Sequence, residues 1–401
     1  MPMLFKDALH EQLAGWLLGY FPYGGPDFGE IAQVALIVGD GGDDAFYDAW
    51  TLQAERRMEE AGTALQRGHP DSAREAFLRA ACCYAKAYHP LYGDPVDPRL
   101  LRGARRQIDA FERALALADP PALRLDIPYE GMRMPAWLLP AAGAQAPRPL
   151  IIFNNGYDST VTDSYFACAV AASRRGYHSL VFDGPGQGAM LFEHGLRLRP
   201  DWEKVITPVV DVVQDLPLVD PERIVLSGWS LGGYLAPRAA SLEPRLAACI
   251  ADPGRINVAD GFRAAALQLG AHADEVRDLG DLPQAFLARM ERLFMQDRVR
   301  RWSVINRGYW VHGVDNLRDY LASVERYTLA DSIRQIRCPT LVTLAADDPI
   351  AAGAEEFHEA LACPKTLIRF SAQDGASTHC EMGNRSLLNR RVLDWLDETL
   401  N

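Results

Sequence analysis

The stretch SGWSLGG (227–233) holds the residues best suited to covalent chemistry. It follows the apolar run RIVL (223–226) and precedes YLAPRAASL, which reads as a helix. A serine in a Gly-x-Ser-x-Gly turn between strand and helix is lifted above the strand ends, with its hydroxyl exposed. Side chains at Gly228 or Gly232 would collide with neighbouring backbone in so tight a turn. The same turn aims the backbone N–H of Leu231 at an oxygen that becomes negative during attack. A serine hydroxyl is a weak nucleophile unless a base takes its proton, and the base must be oriented by an acid. His379, in the glycine-flanked loop QDGASTHCEMG, supplies the base for Ser230. Asp347 and Asp348 both follow the strand-like run TLVTLA (340–345). Asp348, immediately before Pro349, is favoured as the acid, and Asp347 is read as a turn residue. The order Ser, Asp, His is the one expected when the nucleophile sits on a strand-to-helix turn. His358 falls in a helical stretch beginning at Gly353 and is read as a surface residue.

A second amide donor is expected from the loop NNGYDST (154–160). Gly156 there permits close approach, the N–H of Tyr157 is the chosen donor, and Asp158 lies in the same loop. Trp229, Trp310 and His312 are further candidates for substrate contact, with His194 beside them. FDGPGQG (182–188) lacks the Lys-Ser/Thr of a phosphate-binding loop and the spacing of a dinucleotide site, so it is read as a tight loop beside the site. The cysteines at 82, 83, 168, 249, 338, 363 and 380 form no cluster with zinc spacing. Neither a metal nor a cofactor is expected.

The elements that must carry these residues are legible in outline. Residues 1–118 read as helices, the clearest over 72–88, where Ser72 and Glu75 have the spacing of a capping box. The segment 123–141 alternates around Gly131 and reads as a hairpin. Continuous apolar runs then alternate with helical stretches: LIIFN, HSLVFD, RIVLSG, AACIAD, TLVTLA and TLIRF. Such runs are the pattern of buried parallel strands, and the alternation predicts a doubly wound, mostly parallel α/β sheet. The rhythm breaks over 253–336, an Arg-rich helical segment read as a cap inserted into the core of 119–252 and 337–401. Phe286, Phe294, Trp302, Tyr309 and Trp310 in that segment suggest an apolar or aromatic pocket.

A net charge of −12 argues against nucleic acid or anionic membrane as a partner. The apolar N-terminus is interrupted by Lys6, Asp7, His10 and Glu11, and no segment offers eighteen uncharged apolar residues. A cytoplasmic enzyme acting on a small molecule is therefore expected.

These residues bring a resemblance into view. NGYDST, FDGPGQG, RPDWEKVITPVVD, GWSLGGYLAPRAA and the GAxxHC pattern at His379 resemble one branch of the α/β-hydrolases. That branch includes 2,6-dihydroxypseudooxynicotine hydrolase, fungal polyketide-shortening hydrolases and FrsA-like proteins. The N-terminal helices, with Asp40, Trp50 and the run ARExFLRAACCYAKA, are similar too, so the likeness spans nearly the whole chain. It implies an α/β-hydrolase fold with a helical N-terminal domain and a cap, and a homodimer. It also implies hydrolysis of a carbon–carbon bond beside a ketone, with Asp252 as the nearest candidate for a substrate-orienting acid. An esterase, thioesterase, amidase or acyltransferase would use the same Ser230–His379–Asp348 set. A non-catalytic binding protein on this fold is the alternative of another class.

Overall fold

The computed structural model describes residues 3–144 and 146–400. Its centre is an eight-stranded sheet: β1 (Leu123–Tyr129), β2 (Met132–Leu139), β3 (Arg148–Asn154), β4 (His178–Phe182), β5 (Val219–Trp229), β6 (Ala248–Asp252), β7 (Thr340–Ala345) and β8 (Lys365–Phe370). The strand order is β1-β2-β4-β3-β5-β6-β7-β8. β1 and β2 form the expected hairpin, joined by Glu130 and Gly131, both at positive φ, as a two-residue hairpin turn requires. β2 pairs antiparallel with β4, and every later pairing is parallel.

Alternation along the central strands divides their side chains between two cores. On β3, Leu150 and Ile152 join one apolar cluster, while Ile151 and Phe153 join the other. The first cluster includes the helix Glu203–Val213 and the helical segment between β6 and β7. The second is continuous with the N-terminal helices α1 (Ala8–Gly15), α2 (Phe28–Val38), α3 (Asp43–Gln66), α4 (Pro70–Tyr88) and α5 (Pro98–Ala116). Both faces of the central strands are thus covered, which is why those strands read as unbroken apolar runs. α4 begins two residues earlier than predicted. Pro70 takes the first helical position, where its missing N–H costs nothing, and Ser72 and Glu75 lie exposed inside the helix rather than forming a capping box.

Between β6 and β7 lie the helices Asp260–Gln268, Gln284–Gln296 and Leu317–Glu325, a π-helical turn Arg301–Gly308, and one isolated bridge between Asn257 and Thr328. Among the described residues, no helix is long and apolar enough to cross a membrane. The apolar run near the N-terminus instead packs inward: Leu17 and Tyr20 are fully buried in the second core.

Candidate active site

Ser230 follows the last residue of β5 directly, and α6 (Gly232–Ala240) begins two residues later. Ser230 holds φ +57°, a left-handed conformation that a non-glycine residue adopts only under constraint. Its N–H donates to the carbonyl of Asp252 at 2.7 Å, which fixes the turn to the end of β6. The turn is tight enough that a Cβ at Gly228 would lie 2.0 Å from the carbonyl oxygen of Gly232. At Gly232 it would lie 2.7 Å from the carbonyl of Asn154. This crowding is the reason for both glycines.

Asp348 and His379 follow β7 and β8, at the same carboxyl edge of the sheet as Ser230, where open α/β sheets place their ligands. His379 Nε2 is 2.9 Å from Ser230 Oγ, and Nδ1 is 2.7 Å from Asp348 Oδ2. The other Asp348 oxygen accepts the N–H of Ile350 at 2.9 Å, so the carboxylate is pinned from two sides. Asp348 is buried, whereas Asp347 is exposed and meets the loop before His379 only through its backbone N–H to the carbonyl of Ser377. His358 lies on the helix Ala354–Ala360, and His194 is exposed. A hydroxyl, imidazole and carboxylate linked in series can move a proton off the serine as its oxygen attacks an electrophilic carbon.

Tyr157 and Leu231 border the same space as Ser230. Among the described residues, neither of their backbone N–H groups has an internal hydrogen-bond partner. Gly156 passes so close that a Cβ there would meet Ser230 Cβ at 2.9 Å. The loop is braced from behind. Gln187, in FDGPGQG, donates to the carbonyls of Asn155 and Gly156 at 2.9 and 2.8 Å. Trp202, in RPDWEKV, donates to Asn154 Oδ1 at 2.6 Å. Asn155 donates to Asp183 at 2.8 Å, and burial pushes that carboxyl up to about 8. Asp158 borders the cavity and accepts from Arg307 at 2.8 Å, while Arg307 lies over the Tyr157 ring at 4.1 Å.

Ser230, His379 and Leu231 open onto a cavity of about 420 Å³. Phe262, Phe294 and Tyr320 contribute aromatic surface, and Lys86, His89, Asp158, Asp163, Arg255 and Arg307 make much of the remaining wall polar. The expectation of a wall made by the aromatic residues of 286–310 is corrected: of those five, only Phe294 reaches the cavity. Trp302 and Trp310 are buried core residues, Trp310 stacked on Phe192 at 5.7 Å. His312 also falls outside the lining. It is packed against the rings of Tyr157 and Tyr320, its Nδ1 is 2.8 Å from Ser323 Oγ, and burial depresses it to about 3. Trp229 is buried behind Ser230, its ring near Trp16 and Arg385.

Asp252 is corrected as well. Its carboxylate points away from the cavity, accepting from Thr343 Oγ1 at 2.8 Å and Arg385 Nη1 at 2.9 Å. Arg385 also donates to the carbonyl of Cys380 at 2.8 Å, so this buried pair supports the His379 loop from beneath. Burial, together with Asp252, raises the neighbouring Glu381 carboxyl well above its usual range.

Several lining residues were not singled out from the sequence. Trp16 sets its ring 5.7 Å from that of His379, and Lys86 pairs with Asp163 at 3.1 Å. The N-terminal helices carry no local motif for such a role. Arg255 did have a signal: it lies three residues past the carboxyl end of β6.

A parallel sheet with a serine on the turn after its central strand defines an α/β-hydrolase. The profile of the "Alpha/beta hydrolase family" matches residues 151–382, and that of "Esterase FrsA-like" matches 36–258. The chain belongs to the alpha/beta hydrolase family and is a hydrolase. It is 33% identical to Hydrolase acrC of Aspergillus aculeatus, over 95% of this chain and 94% of that one. It is 31% identical to 20-hydroxy-prefusarin hydrolase FUS2 of Gibberella moniliformis, over 96% and 94%. The solved 2,6-dihydroxy-pseudo-oxynicotine hydrolase superposes with a TM-score of 0.73 at 26% identity, covering 95% of each chain.

Proposed function

We propose that this enzyme hydrolyses a carbon–carbon bond beside a ketone in a polyketide-like or aromatic β-diketone or acyl-phenol substrate. The observation that carries hydrolysis through a serine nucleophile is the hydrogen-bonded series Ser230–His379–Asp348 opening on one cavity. Ser230 Oγ attacks the ketone carbon as its proton passes to His379 Nε2, and Asp348 steadies the imidazolium. The amides of Leu231 and Tyr157 receive the oxyanion. Collapse breaks the carbon–carbon bond, and the departing carbanion, delocalised as an enolate, takes the proton from His379. Water then attacks the acyl-serine, giving its proton to His379. The ester breaks, a carboxylic acid departs and Ser230 regains its proton. Likeness to 2,6-dihydroxy-pseudo-oxynicotine hydrolase over nearly the whole chain supports carbon–carbon cleavage in particular. Likeness to FUS2 and acrC supports a role in secondary metabolism. The homodimer and the cap function of 253–336 rest on the same likeness.

The match to an esterase profile favours a second reading, ester cleavage by the same residues. Purified enzyme and its Ser230→Ala variant, given a short-chain activated ester and an aryl 1,3-diketone, separate the two. Ser230-dependent cleavage of the diketone with poor ester turnover is expected. Fast ester cleavage with the diketone untouched would overturn the proposal in favour of the esterase.

A further inference from the structure

A cation enclosed by protein gives up hydration and needs compensating charge or hydrogen bonds. Two cations of the cavity wall have it: Lys86 is paired with Asp163, and Arg307 with Asp158. Arg255 does not. Its side chain makes a single hydrogen bond among the described residues, from Nη2 to the carbonyl of Val258 at 3.0 Å. The carboxylates whose charge it senses, Asp260 and Asp348, are taken by Arg263 at 2.9 Å and His379 at 2.7 Å. Burial accordingly holds the guanidinium below its ordinary value, though guanidinium remains protonated at neutral pH. In a chain of net charge −12, this is an under-compensated positive charge on the wall of the cavity that Ser230 enters. The loop that carries it begins directly after Asp252, the β6 residue whose carbonyl holds the Ser230 N–H.

We propose that Arg255 binds the substrate, its planar fork receiving a delocalised oxyanion, so that the enzyme selects an anionic substrate. The inference rests on Ser230 being the nucleophile. A carboxylate and the enolate of a 1,3-dicarbonyl share the required geometry: two oxygens, one charge, one plane. Arg300 also borders the cavity and is exposed. It adds the same sign of charge to the cavity wall.

The test compares two aryl esters with one leaving group, a neutral butyrate and a hemiglutarate ending in carboxylate, alongside an aryl 1,3-diketone assayed on either side of its ionisation. Wild-type kcat/KM is expected to favour the hemiglutarate over the butyrate by about ten-fold or more, mostly through KM. In Arg255→Gln that ratio falls toward one. Arg255→Lys keeps part of it, through charge without the fork. A preference for the hemiglutarate without one for the ionised diketone assigns the carboxylate; the reverse assigns the enolate. No anion preference in the wild type, or one that survives in Arg255→Gln, would overturn the proposal.

Calorimetric titration of the wild type with benzoate and benzamide gives a readout that needs neither turnover nor a folded variant. Benzoate binding no tighter than benzamide would again refute it. An inert diketone with an intact ester ratio removes the carbon–carbon reading and leaves Arg255 standing.

Discussion

Asp348 and Asp347 are neighbours of identical chemistry, so exchanging each in turn isolates what position does. Asp348 Oδ2 lies 2.7 Å from His379 Nδ1 with its side chain buried, while Asp347 is exposed. In the proposed mechanism, attack by Ser230 turns His379 into an imidazolium. Asp348→Asn removes the unit charge facing it and leaves the volume nearly unchanged. For charges about 4 Å apart at an effective dielectric constant of about 20, the lost attraction is about 4 kcal/mol. One factor of ten in rate corresponds to about 1.4 kcal/mol, so kcat should fall about a thousand-fold. The amide can also stabilise the wrong imidazole tautomer, which deepens the loss. Asp347→Asn should change kcat by less than about two-fold, because an exposed charge is screened by water. The assay is steady-state release of an aryl leaving group, with near-ultraviolet dichroism to establish that both variants are folded. Equal losses in the two variants, or a loss below ten-fold in Asp348→Asn, would refute the reasoning.

Gly228→Ala places a Cβ 2.0 Å from the Gly232 carbonyl, so Tm should drop by several degrees and activity should vanish; an unchanged Tm would contradict the geometry of the turn. Arg385→Met strands the Asp252 carboxylate in a buried site, an expected loss of about 3–5 kcal/mol by urea unfolding. The double variant Arg385→Met/Asp252→Asn should recover part of that loss, and failure to do so would argue against the pair. Asp183, raised to about 8 in the folded protein, keeps a proton between about pH 4 and 8 that the unfolded chain has released. Its contribution to stability is therefore complete below pH 4 and is lost as pH rises through 8. Asp183→Asn should remove that part of the decline in Tm between pH 5 and 8. His89 and His312 act on the slope alike in both proteins and cancel in the comparison. Parallel Tm curves for wild type and variant would refute the shift.

What the amino-acid order determined on its own is local or periodic. The apolar runs at 150–154, 178–183, 223–228, 247–252, 340–345 and 366–370 all became strands, and the central ones are apolar without interruption because both their faces are covered. The turn at Ser230 was legible because its strain is resolved within five residues, by glycines at 228 and 232. The hairpin at Gly131 was legible for the same reason. Tertiary structure decided everything that depends on where distant segments meet. Asp348 stands apart from Asp347 only because a loop 31 residues later returns His379 to it. Asp252, expected to face substrate, faces Arg385 instead, a partner 133 residues away that no spacing rule connects to it. Trp310 and His312 carry the chemistry of pocket residues, yet their helix turns them into the core against Phe192, Tyr157 and Tyr320. Trp16, Lys86 and His89 reach the cavity because the N-terminal helices pack over the carboxyl edge of the sheet. Local sequence encodes backbone shape and which faces must be buried; the neighbour a polar side chain finally meets is a property of the assembled fold.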